Sequence, residues 1–291
     1  MYFLISKHSL TFASGNFNIS LLTSLPALYH HFNLLYQYAP KLDQVFIDFT
    51  VTVQAATGIR RWLKPQITFI FDGYEPFTPL PHIQAPALFE WGLNWCIANN
   101  AHHYLIIHAA VVEKNGYGLL MPGSPGSGKS TLCAALVCQG WRLLSDEMAL
   151  LSITDGMIYP MPRPISLKNR SIQIIKQFSP DTIFGSIITD TTKGNIAHMQ
   201  IPEASILAQT MPVKLTYLVF PHYTANSQPQ LTKLTKSRAF MILAENAFNF
   251  NILGSVGFDA MANLVDTVEC YNFTYPDLSQ ALRGINRLAS L

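Results

Sequence analysis

The sequence has few charged residues and no long apolar run, and each absence excludes a class of protein. Only 12% of the 291 residues are Asp, Glu, Lys or Arg, and the formal net charge is +2. Because no basic run is present, no nucleic-acid partner is predicted. No apolar stretch reaches the about 18 residues that a membrane-spanning helix needs, so no membrane span is predicted.

Cysteine is also scarce, and the start of the chain lacks a secretory pattern. The four cysteines, none of them in a C-x-x-C pair, are Cys96, Cys133, Cys138 and Cys270. This usage favours buried thiols in a reducing compartment. The opening residues MYFLISKHSL lack the basic stretch followed by an apolar stretch that is typical of a signal peptide. Together these features predict a cytoplasmic location.

Lysine and arginine are missing from one long interval, which suggests how the chain is divided. Neither residue occurs between Lys64 and Lys114, where aromatic residues and proline are frequent. The proline-rich stretch Phe71–Pro86 predicts a stiff loop, and the tryptophan-containing segment after it predicts an apolar-faced helix. We therefore expect a small N-terminal α/β subdomain over 1–100 and a larger domain over 101–291.

The most specific motif is a phosphate-binding loop. GSPGSGKS follows the apolar stretch Tyr117–Pro122, which predicts a buried strand, and precedes STLCAALVCQG, which predicts a helix. Such a loop aims successive backbone N–H groups at phosphate oxygens, with the lysine on the β- and γ-phosphates and the serine on Mg²⁺. The predicted nucleotide-binding residues are Gly123, Ser124, Pro125, Gly126, Ser127, Gly128, Lys129, Ser130 and Thr131.

Two acids follow the P-loop, and the lengths of the helix and strand between them predict that the acids lie beside the loop. The helix Lys129–Gln139 rises about 1.5 Å per residue, and the strand Trp141–Ser145 returns at about 3.3 Å per residue. The two lengths match, so Asp146 and Glu147 are expected level with Lys129. At that position they are within reach of a metal and of a γ-phosphate. Because adjacent strand residues point to opposite faces, at most one acid faces the site squarely.

The segment LIIHAAVVEKNGYGLLMPGSPGSGKSTLCAALVCQGWRLLSDE resembles the catalytic core of HPr kinase/phosphorylase. The chain as a whole is more similar to the group called HprK-related kinase A. The resemblance implies an α/β fold whose HPr kinase-like (PEP carboxykinase-like) P-loop core has a mixed sheet. The segments assigned to that group are RRWLKPQITFIFDG, LFEWGLNWCIA, RPISLKN, KGNIAHMQIP and LGSVGF.

Some positions depart from the HPr kinase pattern. Thr131 stands where the family has an acid, Glu147 stands where it has a second aspartate, and the family's second signature is missing near Arg163. The nucleotide chemistry therefore carries over well, the identity of the acceptor carries over poorly, and the reverse reaction hardly carries over at all.

Further polar residues are candidates with two interpretations each. His108 corresponds to a histidine that lies near the phosphates in HPr kinase-like proteins, and the alternative is a satisfied core histidine. Arg163 and Lys168 are candidates for acceptor or phosphate contacts, and the alternative is a solvated surface. Lys193 and His198 lie in TTKGNIAHMQ, which predicts a polar loop suited to a lid or an acceptor clamp, and the alternative is an ordinary loop.

The remaining elements follow from composition. A hairpin is predicted around Asp155-Gly156, and a last helix is predicted with Asp277 as its N-cap. The tryptophans Trp62, Trp91, Trp95 and Trp141 are predicted to be core residues. The other expected elements are a strand at Val213–Pro221, helices near Ser237–Phe248 and Val256–Val268, and a strand at CYNFTYP.

These features predict an ATP-dependent, Mg²⁺-assisted phosphotransferase, and the resemblance implies that its acceptor is a serine or threonine hydroxyl of a peptide or small protein. The catalytic residues would be Lys129, Asp146, Glu147 and His108, with Ser130 and Asp146 at the metal; which acid is the base stays open. Two alternatives remain, a small-molecule kinase and a nucleotide-gated peptide-binding module with little or no transfer. The oligomeric state, a homo-oligomer included, is open.

Overall fold

A computed structural model describes residues 8–124 and 126–289, and the strands of this part of the chain form four β-sheets. The strands in chain order are β1 (His8–Ser14), β2 (Phe17–Thr23), β3 (Phe49–Ala55), β4 (Gln66–Phe71), β5 (Leu80–Pro81), β6 (Tyr104–Ile107), β7 (Ala109–Lys114), β8 (Tyr117–Pro122), β9 (Arg142–Ser145), β10 (Ala149–Ser152), β11 (Ile158–Tyr159), β12 (Ile165–Lys168), β13 (Ile188–Thr191), β14 (Gly194–Met199), β15 (Leu215–Tyr223), β16 (Gln230–Lys233) and β17 (Glu269–Tyr275).

Helices cover the sheets. The α-helices in chain order are α1 (Pro26–Leu35), α2 (Ala85–Asn100), α3 (Lys129–Cys138), α4 (Arg170–Phe178), α5 (Glu203–Leu207), α6 (Lys236–Glu245), α7 (Phe250–Thr267) and α8 (Leu278–Leu288). Helix α7 is interrupted at Gly254, whose φ of 56° is outside the helical range. No helix of the described residues combines the length and the apolarity needed to cross a membrane.

The N-terminal sheet has the order β1-β2-β3-β4-β5. Strand β2 alternates buried and half-buried residues, as expected for a strand with one face on a core. Helix α2 packs on β3 and β4, and α1 packs on α2 and places Phe32 against Phe12 of β1. The predicted strands near Phe46–Val53 and Ile67–Phe71 correspond to β3 and β4, and the predicted tryptophan helix corresponds to α2.

The central sheet carries the P-loop. Its order is β16-β17-β15-β8-β7-β9, with β8, β15 and β17 parallel and β7 antiparallel to both β8 and β9. Alternate residues of β8 enter two different cores, since Leu119 and Met121 pack with α3 and α2, whereas Leu120 packs with α6 and α7. The structure is therefore mixed α/β.

The core on the α3 side extends into the N-terminal sheet. Phe69 of β4, Phe89 of α2 and Leu132 of α3 are fully buried in the same cluster. The 1–100 and 101–291 division stays a prediction.

Most of the elements predicted after the P-loop are observed, with two corrections. The hairpin at Asp155-Gly156 and the Asp277 cap are confirmed, since β10 pairs antiparallel with β11 and the Gln280 N–H donates to Asp277 Oδ1 at 2.8 Å. The predicted polar loop TTKGNIAHMQ is wrong, because β14 and the end of β13 form a hairpin there. The core prediction fails for Trp62, which is 79% exposed, and holds for Trp141, which is 2% exposed.

Candidate functional site

The P-loop lies at the carboxyl end of β8. Gly126 and Gly128 have φ of +90° and +92°, a region that residues with a Cβ rarely adopt. A Cβ on Gly128 would also lie 2.3 Å from the Tyr275 hydroxyl, so glycine is required there. The Tyr223 N–H donates to the Ser127 carbonyl at 3.1 Å and holds the loop against the parallel strand ends. Pro125 is outside the described residues.

The strand register brings the two acids to the same edge as the P-loop. Val111 of β7 pairs with Leu120 of β8 on one side and with Ser145 of β9 on the other. Strands β8 and β9 therefore run in the same direction and end at the same edge of the sheet. Asp146, the first residue after β9, lies at the level at which β8 approaches the P-loop. The out-and-back path predicted from the element lengths is the one observed.

Three side chains at this edge carry buried polar atoms without a hydrogen-bond partner among the described residues. They are Ser127 Oγ, Lys129 Nζ and Asp146 Oδ1. Lys129 and Asp146 are only 7% and 5% exposed. Burying unpaired polar groups is costly, and most proteins leave few of them. Phosphate oxygens and a divalent cation would satisfy these atoms, so the residues present fit Mg·ATP.

Asp146 is held in a desolvated position. Its Oδ2 accepts a hydrogen bond from the Ser166 backbone N–H at 3.1 Å. Burial raises the pKa of Asp146 to about 6, and the neighbouring Glu147 charge acts in the same direction. Lys129 and the Ser130 hydroxyl oppose that shift and lower the pKa of Asp146, so both act on the same carboxylate. Ser130 and Asp146, the predicted metal ligands, are therefore neighbours.

Glu147, the residue after Asp146, is half-buried among basic side chains. Burial acts to raise the pKa of Glu147, but the charges of Lys168, Lys193 and Lys129 outweigh it and leave the pKa below its usual value. The Lys193 ammonium also lies 5.0 Å from the centre of the Trp91 ring. The structure thus brings Lys168 and Lys193 to the acid pair, and Glu147 is ionised there.

His108 lies between β6 and β7. Its backbone N–H donates to the Asn246 carbonyl at 2.7 Å, and its ring contacts Phe248. Burial and, to a smaller extent, the charge of Lys129 lower the pKa of His108 to about 4. The imidazole is therefore neutral at neutral pH and belongs to the same electrostatic cluster as the P-loop lysine.

Arg163 is buried in a polar network rather than placed on the surface. Its guanidinium bonds the Glu90 carboxylate and the Asn94 side-chain oxygen, and it donates to the Glu90 carbonyl at 2.8 Å. The Glu90 carboxylate also accepts from the Tyr36 hydroxyl at 2.9 Å and lies 3.2 Å from His31 Nε2. Burial acts to raise the pKa of Glu90, but Arg163 and His31 lower it to about 2. The network connects α1 and α2 to the site.

Glu90 and Asn94 are the site residues that the sequence interpretation missed. They are four residues apart on a helix that is otherwise largely apolar, so they share one face. A polar pair at this spacing is the signal that could have identified them. Asn94 reaches the acids directly, because its Nδ2 donates to Glu147 Oε2 at 2.6 Å.

His198 is buried, whereas the sequence predicted that it lies in a polar loop that could clamp an acceptor. It is 1% exposed on β14, and its ring packs edge-on against His31 with 5.3 Å between the centroids. Burial lowers the pKa of His198 to about 4, so the ring is neutral at neutral pH. Both ring nitrogens are buried without a hydrogen-bond partner in the part of the chain that the structure describes.

The protein side chains do not form a complete metal site by themselves. Within 8–124 and 126–289, no group of three His, Cys, Asp or Glu residues could hold a metal ion. Mg²⁺ in phosphate-transfer sites is commonly bound by one or two protein ligands together with phosphates and water. Ser130 and Asp146 fit that smaller role.

Comparisons with a family model and with solved structures each give a partial match to this chain. The family model described as SynChlorMet cassette protein ScmC matches residues 94–165, which include the P-loop and both acids but a minor part of the chain. It is a different family from the HprK-related kinase A group. Among solved structures, the Hpr(Ser) kinase/phosphatase from Coxiella burnetii matches with 15% identity over 64% of this chain and 97% of that chain. Its TM-score of 0.28 is too low to support an argument about the site. No curated protein matches.

Proposed function

We propose that this chain is an ATP-dependent phosphotransferase of the HPr kinase type. The observation that carries the proposal is the shared edge of the central sheet, where β8 leads into the P-loop and β9 leads into Asp146 and Glu147. Lys129 Nζ and Asp146 Oδ1 are buried there without partners, as expected of groups whose partners arrive with a ligand.

The P-loop residues would hold the nucleotide. Backbone N–H groups of the Gly126–Ser130 segment would bind phosphate oxygens at the N-terminus of α3, and Lys129 would bind the β- and γ-phosphates. Ser130 and Asp146 would hold Mg²⁺. When bound, Mg²⁺ neutralises the charge that develops on the transferred phosphoryl group.

Glu147 would act on the acceptor. Its carboxylate is ionised among Lys168 and Lys193 and fixed by Asn94, so it can receive the proton of an acceptor hydroxyl. The hydroxyl oxygen then forms a bond to the γ-phosphorus, the bond from that phosphorus to the bridging oxygen breaks, and ADP leaves. The proposed acceptor is a serine or threonine hydroxyl of a peptide or small protein.

The test measures nucleotide binding and transfer separately. Purified protein, γ-labelled ATP and Mg²⁺ are combined with a library of serine- and threonine-containing peptides and with a panel of small alcohols. Label on a peptide supports the proposal, whereas label on small alcohols alone indicates a small-molecule kinase. Tight ATP binding with no labelled product indicates a nucleotide-gated binding module.

The acids supply matched variants for the same assay. Asp146→Asn should lose essentially all transfer and most of the Mg²⁺ dependence of ATP binding. Glu147→Gln should lose transfer by about 10²-fold or more while keeping Mg²⁺-dependent ATP binding, because a base is needed only when the hydroxyl attacks. Glu203→Gln alters an exposed acid and is the control. Near wild-type transfer by both acid variants would show that the acids have no role.

A further inference from the structure

The strand order of the central sheet gives the P-loop two different sides. The loop follows β8, and Asp146 and Glu147 follow β9, whereas β15 and β17 lie on the opposite side of β8. Leu218 of β15 pairs in parallel with Leu120 of β8, so the last residues of β15 reach the level of the P-loop. The end of β15 therefore borders the loop on the side away from the acids.

Tyr223, the last residue of β15, places an aromatic ring at this border, and it is 54% exposed. Its backbone N–H donates to the Ser127 carbonyl at 3.1 Å, and its Cβ lies 3.2 Å from the point that a Cβ on Gly128 would occupy. Its ring contacts the ring of the buried Tyr275, with 6.1 Å between the centroids. Tyr223 is therefore held beside the P-loop, with more than half of its surface open to solvent.

The position of Tyr223 distinguishes it from the single exposed aromatic residues that are common on protein surfaces. A nucleoside triphosphate in the proposed orientation has its γ-phosphate beside Lys129 and Asp146. Its nucleoside is at the other end of the phosphate chain, so it leaves the P-loop away from the acids, on the β15 side. Nucleotide bases stack on the open faces of aromatic rings. Tyr223 offers such a face where the base leaves the loop.

We propose that Tyr223 is the base-stacking residue of the nucleotide site and that its ring packs on the purine of Mg·ATP. The inference rests on the proposed phosphotransferase function, whose residues hold the phosphates and the metal but assign no contact to the base. Tyr275 supports the Tyr223 ring from the buried side. The P-loop and the end of β15 together thus bind both ends of the nucleotide.

The binding test separates the base from the phosphates. Calorimetry compares the β,γ-imido analogue of ATP with inorganic tripolyphosphate, each with Mg²⁺, since tripolyphosphate has a phosphate chain but no base. Tyr223→Ala should weaken binding of the analogue about tenfold or more and leave tripolyphosphate binding unchanged. Tyr223→Phe keeps the ring and should bind the analogue like the wild type. Tyr74→Ala removes a tyrosine that is 57% exposed elsewhere in the chain and is the control.

A second measurement uses the wild-type protein and does not depend on the stability of an alanine variant. The sequence has 12 tyrosines, and Tyr223→Phe identifies the Tyr223 signal in the ¹H–¹³C spectrum of protein with ¹³C-labelled tyrosine rings. A purine stacked on a ring moves the signals of its protons upfield, because the aromatic current of the purine shields them. We expect a saturable upfield movement with the ATP analogue and almost none with tripolyphosphate.

The outcomes distinguish this inference from the function on which it rests. If the wild type does not bind the ATP analogue, the proposed function is wrong. If it binds the analogue, the inference is overturned by a Tyr223 signal that stays fixed, or by a Tyr223→Ala variant that binds the analogue like the wild type. Equal weakening of the analogue and of tripolyphosphate in Tyr223→Ala would also overturn it, because the residue would then act on the P-loop alone.

Phe248 provides a competing position for the base. It is 52% exposed and contacts the ring of His108, directly before β7 and thus on the other side of β8. Phe248→Ala should bind the ATP analogue like the wild type. Loss of analogue binding in Phe248→Ala, with Tyr223→Ala unaffected, would place the base on the β7 side and contradict the inference.

Discussion

Asn94 bridges Glu147 and Arg163. Its amide nitrogen donates to Glu147 Oε2 at 2.6 Å, and its side-chain oxygen accepts from the Arg163 guanidinium. Because one amide group serves both neighbours, its orientation is fixed, and so is the position of the Glu147 carboxylate. Arg163 is in turn held by Glu90. The acid at the site therefore depends on helix α2 for its geometry.

Asn94→Ala should reduce transfer strongly without affecting nucleotide binding. The substitution releases Glu147 from its hydrogen bond, and small displacements of a reacting group cost about 10²-fold in rate. We expect a loss of about 10- to 100-fold in single-turnover transfer at saturating ATP. Asn99→Ala changes an exposed asparagine on the same helix and serves as the control. Equal rates for the two variants would show that Asn94 does not position the acid.

Local patterns predicted the strand, helix and strand around the P-loop segment and the position of Asp146, because the information lies within one short segment. The lengths of the helix from Lys129 and of the strand that ends at Ser145 determine where Asp146 lies, and both lengths are readable from apolar runs and Gly140. The hairpin that carries Lys193 was missed because its first strand has exposed polar residues at its centre.

The other half of the site depends on contacts that are distant in sequence. Arg163 bonds Asn94 across 69 positions and Glu90 across 73. A proline-rich segment around Arg163 gives no local indication of a buried guanidinium, since burial of a charge depends on the partner that compensates it. The wrong prediction for Trp62 has the same cause. Tryptophan is usually buried, but burial at a given position depends on distant contacts, and Trp62 is exposed.

Lys129→Met should remove transfer while leaving stability unchanged or increased. Burial lowers the pKa of Lys129 despite the attraction of Asp146, so the buried charge costs folding free energy.

Lys236→Met provides the contrast, because Lys236 Nζ donates to the Val265 carbonyl at 2.6 Å near the end of α7. Losing that charged hydrogen bond should destabilise the protein by about 1–2 kcal/mol and leave transfer intact. Chemical denaturation and single-turnover assays measure the two effects. Retention of wild-type turnover by a folded Lys129→Met protein would contradict the P-loop assignment.

The segment before residue 100 should be inseparable from the rest of the chain. Phe89 and Leu132 share one apolar core, and Arg163 pairs with Glu90 inside the protein. Removing the segment would expose this core and leave the Arg163 charge unpaired, which is strongly destabilising. Limited proteolysis should therefore yield no soluble 105–291 fragment that binds ATP. Recovery of such a fragment would mean that the two parts fold independently.

Stability should fall between pH 6.5 and pH 4, and His198 should account for part of the loss. Burial lowers the pKa of His198 from 6.5 to about 4, so the unfolded chain binds a proton in this range that the folded protein does not. The contribution of the neutral ring is complete above pH 6.5 and is lost as the pH falls towards 4. The displacement corresponds to about 3 kcal/mol for this residue, His108 contributes in the same direction, and Asp146, whose pKa is raised to about 6, offsets part of the loss. His198→Gln should have a flatter dependence of the unfolding free energy on pH, whereas His222→Gln, which changes an exposed histidine, should keep the wild-type slope. Urea denaturation at several pH values measures these slopes, and identical slopes for both variants would show that His198 titrates normally in the folded protein.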